Sequence, residues 1–279
     1  MRAGLIQLCA SDDPAENLPV TVGYIRKAAQ AGAEFILTPE VTNCVSNSRT
    51  HQQGVLQSEA DDITLAALRA EARALGVWLL IGSLGLQTTD ADGRFANRSF
   101  LIAPDGEIAA RYDKIHMFDV DIDETESFRE SAGYRPGDQA VVAQTDFGAV
   151  GLTICYDVRF PHLHRTLAKA GAQILTVPAA FSPVSGAAHW RTLLQARAIE
   201  TGCFVLAPAQ CGDHPISRGA PRKTYGHSLA VSPWGEVLAD GGEAPGVTLV
   251  DLDLSDVEAT RKKIPSITHD RPFKDPTDV

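Results

Sequence analysis

The stretch AGAEFILTPE, Ala31 to Glu40, decides how this chain is read. Gly32 is a helix stop, Phe35–Thr38 is a short apolar run without alternation, and Pro39 ends it, which describes a strand buried on both faces. A near copy, AGAQILTVP, runs from Ala170 to Pro178. Two further pairs of strings echo each other around it. GLIQLC at Gly4–Cys9 matches GLTIC at Gly151–Cys155, and APDGEIAA at Ala103–Ala110 matches SPWGEVLA at Ser232–Ala239. The three pairs keep one order in both halves, so the plan is duplicated. Two sheets packed face to face, with helices over their outer faces, satisfy it. The expected fold is α/β: a four-layer αββα sandwich built from two pseudo-repeated halves.

Hydrophobic period supplies the elements. The first half is expected to hold strand Gly4–Leu8, helix Ala15–Ala31, strand Phe35–Thr38, helix Ile63–Leu75 and strand Val77–Ile81. A hairpin of Ser99–Ala103 and Glu107–Tyr112 then turns at Pro104-Asp105-Gly106. In the second half, Val150–Ile154, Ile174–Val177, Phe204–Ala207, Leu229–Val231 and Val237–Ala239 read as strands. Leu163–Ala170 and Ala187–Thr201 read as helices. Lys114–Asp138 is polar and irregular, the kind of long loop that usually carries function. Since no Pro-, Gly- or Ser-rich linker separates the halves, 1–279 is expected to be a single domain, with 265–279 as an extended C-terminal tail.

Composition narrows the function. The chain has 279 residues and a formal charge of −10. That balance disfavours nucleic acid and anionic membrane surfaces as partners, since both are met by basic faces. The five cysteines, Cys9, Cys44, Cys155, Cys203 and Cys211, are odd in number and form no CxxC pair. They resemble neither a disulfide framework nor a zinc site. With no secretory leader pattern and no long apolar run, a cytoplasmic enzyme is expected.

Chemistry collects where buried strands end in polar residues. FILT is followed by Pro39 and Glu40, GLTI by Cys155-Tyr156-Asp157, and the hairpin strand by Lys114. A free thiol has a pKa of about 8.5, so attack at neutral pH needs a neighbour that takes its proton. A carboxylate can do that, and an ammonium can stabilise an oxyanion. Glu, Lys and Cys together suffice for nucleophilic attack on an amide or nitrile carbon. Taken singly, each residue also has a structural reading: a small buried hydrophobe, a solvated loop acid, a snorkelling lysine. A papain-like Cys–His hydrolase with His116, His189 or His227 as base stays open as an alternative. His162 and His164 form an HxH string without a third ligand, so no metal site is expected.

Three strings in order, LTPE (Leu37–Glu40), RYDKIHMFD (Arg111–Asp119) and GLTICYDVRFP (Gly151–Pro161), resemble the signature segments of the nitrilase superfamily of carbon–nitrogen hydrolases. The resemblance spans Leu5 to about Pro272. It implies Glu40 as general base, Lys114 as oxyanion stabiliser and Cys155 as nucleophile, with Glu130 in FRESAGYRPGD supporting the lysine. It implies no cofactor. The reaction would convert a linear carboxamide to a carboxylate plus ammonia through a thioester. VPAAFSPVSGAAHW and YGHSLAVSPWGEVLAD are similar to the amidases of deaminated glutathione. The ω-amidases of 2-oxo-glutaramate and the N-carbamoyl amino acid hydrolases are the alternatives, and a catalytically silent interaction protein is the non-enzyme one. Tyr156, Arg159 and His116 are the candidates for substrate binding. Arg159 has a rival reading as an ion pair with Asp157 or Glu200. By the same resemblance, a homodimer or higher homo-oligomer is expected through the Phe160–Ala170 and Ala187–Thr201 helices.

Overall fold

A computed structural model describes residues 1–121 and 127–274. Its first half runs β1 (Arg2–Gln7), α1 (Pro14–Gln30), β2 (Phe35–Leu37), α2 (Arg49–Val55), α3 (Ile63–Leu75), β3 (Trp78–Leu86), β4 (Phe95–Ile102) and β5 (Ile108–Asp113). Short strands β6 (Asp119–Asp121), β7 (Ser127–Arg129) and β8 (Tyr134–Arg135) follow. The second half runs β9 (Val141–Gln144), β10 (Ala149–Leu152), α4 (Pro161–Lys169), β11 (Ile174–Thr176), α5 (Pro183–Thr201) and β12 (Phe204–Ala207). It continues with β13 (Cys211–Asp213), β14 (Lys223–Tyr225), β15 (Leu229–Val231), β16 (Val237–Asp240), β17 (Gly246–Asp251) and α6 (Ser255–Lys263).

The echoed strings occupy equivalent places. One sheet has the order β17-β1-β2-β3-β4-β5 and the other β16-β15-β12-β11-β10-β9. In each, three parallel strands (β1, β2, β3 and β10, β11, β12) lead into an antiparallel hairpin. The two hairpin turns close alike, Gly106 N–H donating to the Ala103 carbonyl at 2.8 Å and Gly235 N–H to that of Ser232 at 2.9 Å.

Alternation along the strands explains the layers. Leu5, Phe35, Leu37, Leu80 and Leu101 point into one cluster with Val150, Leu152, Leu175 and Leu206 of the second sheet. Their neighbours Ile6, Ile36, Leu79, Ile81 and Ile102 point the other way, onto Ile25 and Ala28 of α1 and Leu65, Leu68 and Ala72 of α3. A period of two on a strand and 3.6 on a helix yields this division directly. The ends of α3 follow from its caps. Asp62 Oδ1 accepts the Leu65 N–H at 2.7 Å, and Gly76 closes the helix in the left-handed conformation.

Several expectations need correction. The stretch 114–138 is not uniformly irregular: β6 and β7 pair antiparallel and β8 joins β4, while 122–126 lie outside the described residues. Strand β3 runs on past Ile81 to Leu86, and β4 begins at Phe95 rather than Ser99. Helices α2 and α6 and strands β9, β13, β14 and β17 were not expected. The start of the tail lies against α4, where Arg165 donates to the Ser266 carbonyl at 2.9 Å and Asp270 pairs with Arg165 and Lys169. Residues 275–279 lie outside the described part.

Candidate active site

Glu40 follows β2, Lys114 follows β5 and Cys155 follows β10, and all three meet in one cavity of about 480 Å³. The site sits where the parallel strands of the two halves end, a common place for function in α/β folds. Lys114 Nζ spends its three donors on carboxylates: Glu40 Oε1 at 2.9 Å, Glu130 Oε1 at 2.9 Å and Glu130 Oε2 at 2.8 Å. Glu130 is held in turn by the Phe118 N–H at 2.7 Å. Glu40 Oε2 accepts the Ala180 N–H at 2.9 Å, and its carboxylate also hydrogen-bonds the Cys155 thiol. Glu40 and Lys114 are almost wholly buried and Glu130 is largely so, so pairing is the condition for Glu40 and Lys114 being charged at all.

Cys155 is presented by strained backbone. It has φ of 48°, in the left-handed region that side chains rarely adopt, and its N–H donates to the Pro178 carbonyl at 2.9 Å. Such strain costs about 1–2 kcal/mol and persists only where the surroundings enforce it. Gly82 supplies part of the enforcement. A Cβ there would sit 2.0 Å from the Thr38 carbonyl oxygen, 2.5 Å from that of Pro39 and 2.6 Å from the Pro178 Cβ. Gly82→Ala must therefore displace both the segment carrying Glu40 and the one holding Cys155. It is expected to cost about 3 kcal/mol of stability by overpacking and to lower kcat/KM at least tenfold, read by Tm and steady-state kinetics.

Electrostatics define the resting state. Burial alone would raise the Glu40 carboxyl, but Lys114 beside it and the hydrogen bonds from Lys114 and Cys155 outweigh that and hold it below the usual carboxylate range. For Lys114, burial would lower the ammonium, yet Glu130 and Glu40 prevail and push it well above the ordinary lysine value. The Cys155 thiol is pushed up by burial and by Glu40. At neutral pH the site accordingly holds the Cys155 thiol, the Glu40 carboxylate and the Lys114 ammonium.

Of the other expected residues, Tyr156 lines the cavity with Phe118 and Phe128, and its ring centroid lies 5.0 Å from that of Phe118. Arg159 and His116 do not line it. His116 is held back because its N–H and Nδ1 engage Asp157 Oδ1 at 3.0 and 2.7 Å and its ring stacks on Phe160 with centroids 3.5 Å apart. Arg159 lies one ring farther out, over Tyr156 and Phe181, with its guanidinium 3.3 Å from His189 Nδ1. It pairs with neither rival partner. Asp157 is taken by Tyr112, Ile154 and His116, and Glu200 by Arg197. None of the three histidines considered as a base lines the cavity.

Sequence reasoning missed Asn97, whose Nδ2 bridges Glu40 Oε1 at 2.9 Å and Glu130 Oε1 at 3.3 Å. A buried asparagine between the apolar ends of FANRSFLI was the available signal. It also missed Arg49 and Arg222, which line the cavity from α2 and from the loop before β14. Among the described residues, no cluster of His, Cys, Asp and Glu is arranged to hold a metal ion.

A model of the carbon-nitrogen hydrolase family matches residues 2–262. The chain belongs to that family. As a carbon-nitrogen hydrolase, it is similar to the deaminated glutathione amidase of Yersinia enterocolitica, with 38% identity over 96% of this chain and 92% of that protein. Among solved structures it resembles the C. elegans NitFhit protein, with a TM-score of 0.89 and 34% identity over 97% of this chain, which spans 65% of the NitFhit chain. Saccharomyces cerevisiae Nit3, a member of the nitrilase superfamily, superposes with a TM-score of 0.85 and 26% identity over 98% of this chain and 97% of that one. The four-layer sandwich is thus the architecture of this family. No described helix of the hydrolase is long and apolar enough to cross a membrane.

Proposed function

We propose that this hydrolase is a cysteine-dependent amidase of deaminated glutathione, with Cys155 as nucleophile, Glu40 as proton carrier, Lys114 as oxyanion stabiliser and Glu130 as the group that holds Lys114. The observation that carries the reading is the buried contact set in which Glu40 touches both the ammonium of Lys114 and the thiol of Cys155. As the Cys155 sulfur bonds to the amide carbon, its proton passes to Glu40 and the carbonyl oxygen gains charge. Lys114, with the Tyr156 N–H, receives that charge. Collapse breaks the C–N bond, Glu40 returns the proton to the departing nitrogen, and a thioester remains. Water then gives a proton to Glu40 and attacks the thioester. When the C–S bond breaks, the sulfur takes that proton back.

One detail departs from the expectations above, and a second needs a physical account. In deaminated glutathione the amide nitrogen belongs to cysteinylglycine, so the leaving amine is that dipeptide. Ammonia leaves only from a primary amide such as 2-oxo-glutaramate. A single carboxylate acting as acid and base works best with a pKa near working pH, whereas resting Glu40 is held low by Lys114. The growing oxyanion resolves this: as Lys114 turns its charge toward it, buried Glu40 loses part of its counter-ion and gains proton affinity when the thiol proton arrives.

Arg159 at the rim suits one of the substrate's two carboxylates, since its guanidinium meets no carboxylate among the described residues. The exposed Val184 and Ile199 on α5 support association of two copies through α4 and α5. Five free cysteines support a reducing, cytoplasmic setting. The test is product analysis on three substrates side by side. Cysteinylglycine release from deaminated glutathione is expected to exceed, in kcat/KM, ammonia release from 2-oxo-glutaramate and from a carbamoyl amino acid. Preference for 2-oxo-glutaramate would move the assignment to the ω-amidase reading.

A further inference from the structure

Among the described residues, four cations line the cavity, Arg49, Lys114, Arg129 and Arg222, and three of them are committed. Lys114 is surrounded by Glu40 and Glu130. Arg129 forms a two-pronged ion pair with Asp121 at 2.8 and 2.9 Å. Arg49 pins loops together through the carbonyls of Ala132 at 2.6 Å, Gly93 at 3.2 Å and Asp92 at 3.3 Å. Arg222 differs. Its guanidinium has only two long contacts, to the Ala180 carbonyl at 3.2 Å and to Asn47 Oδ1 at 3.4 Å, and no carboxylate among the described residues. A guanidinium has five N–H donors, so these two contacts leave most of its hydrogen-bonding capacity without a protein partner among the described residues, on a side chain that lines the cavity.

The segment that carries Arg222 is fixed in advance. Asp12 Oδ2 accepts the Ser217 N–H at 2.8 Å and the Ser217 hydroxyl at 2.9 Å. His214 bridges the Ala10 carbonyl at 2.7 Å and Thr224 Oγ1 at 2.8 Å, while its own N–H donates to the Arg222 carbonyl at 2.9 Å. A cation held in place on one wall, with no carboxylate in direct contact among the described residues, has already met the ordering cost of binding an anion. The charges of the cavity also fit. Among the described residues, Glu40 and Glu130 outnumber Lys114 by one and Arg129 is balanced by Asp121, so Arg49 and Arg222 leave the lining one positive charge in excess.

We propose that Arg222 is the specificity-determining residue of this site, anchoring a carboxylate of the substrate by a two-pronged hydrogen-bonded pair and so selecting amides that carry a free carboxylate. This deepens the amidase reading and rests on it for the word substrate, but the anchoring itself is a binding property and can be tested without turnover. The experiment is calorimetric titration of glutarate, a dicarboxylate with no amide to cleave, into the wild-type chain, Arg222→Gln and Arg222→Lys, with Tm recorded for each. The expected result is a Kd raised about thirtyfold in Arg222→Gln and less in Arg222→Lys, which keeps charge but loses the fork. Equal Kd values in all three proteins, or no uptake of glutarate by the wild type, overturn the proposal. Should Arg222→Gln fold poorly by Tm, the comparison of wild type with Arg222→Lys decides. Turnover is scored separately with glutaramate and the uncharged valeramide. A wild type that hydrolyses valeramide but ignores glutarate keeps the amidase reading and loses this one. Glutarate held through Arg222 with no amide hydrolysed does the reverse.

Discussion

Cys155→Ala is expected to lower amide turnover by about four orders of magnitude or more while the protein stays folded. The two parts of that expectation have different causes. Activity falls because no other nucleophile replaces the sulfur. Cys44 also lines the cavity, but burial pushes its thiol up to about 12, and it donates to the Asp12 carbonyl at 3.4 Å. Stability survives because the thiol is small and faces a cavity, so its removal opens no closed void, and Tm is expected to shift by no more than a few degrees. The check is kcat/KM beside a thermal melt, with iodoacetamide labelling located by mass spectrometry. Turnover near the wild-type level in the folded variant would remove Cys155 from the mechanism.

Lys114→Met is expected to cost both stability and activity, about 3–5 kcal/mol and at least a thousandfold, because it leaves two buried carboxylates facing each other without their cation. The diagnostic lies in the pH dependence. In the wild type, Glu40 is held below its unfolded value, so it adds stability above pH ~4.3 that is lost as pH falls through the lower folded value. Lys114, held high, adds stability below pH ~10.4 that is lost as pH rises through its folded value. Without Lys114, burial pushes the Glu40 carboxyl up instead, and the folded state then gains protons relative to the unfolded chain. Between pH 7 and 5 the variant is therefore expected to gain stability relative to the wild type as pH falls, against a loss common to both proteins from His164 and His214, which burial holds down at a pKa of about 4. Denaturant midpoints across that range decide it. Adding Glu130→Gln is expected to recover part of the lost stability and none of the activity.

Sequence legibility followed burial. Helix α3 was readable to the residue because both its ends are set locally, by the Asp62 side chain and by the left-handed backbone of Gly76. The buried strands β2, β11, β12 and β15 were readable because nothing polar interrupts them. Strand β4 was cut short at Ser99 because Asn97 and Arg98 look unfit for a strand interior. The fold makes them fit by giving Asn97 two carboxylates and Arg98 the acids Asp113 and Glu59. Strand β3 was ended before Gly82-Ser83, a pair that reads as a breaker, although Gly82 is there to let two backbones pass closely. Helices α2 and α6 bury one side chain each, Gln52 and Val257, and so carry no apolar stripe to detect. Glu40, Lys114 and Cys155 were singled out at strand ends, and their order matched a family pattern. Arg222 had no such marker, since its importance lies in what it does not touch.

Strand β17 pairs along the whole outer edge of β1, from Arg2 with Asp251 to Gln7 with Gly246, and buries Val250 in the inter-sheet core. The earliest strand of this sheet thus waits for one of the last. At the usual ~5–20 residues per second of translation, the β1 edge stays bare for roughly a quarter to three quarters of a minute while the intervening chain leaves the ribosome. Hydrogen-bonding groups left open for that long invite a stranger's strand. A nascent chain arrested before Gly246 should therefore need a chaperone that the finished one can do without.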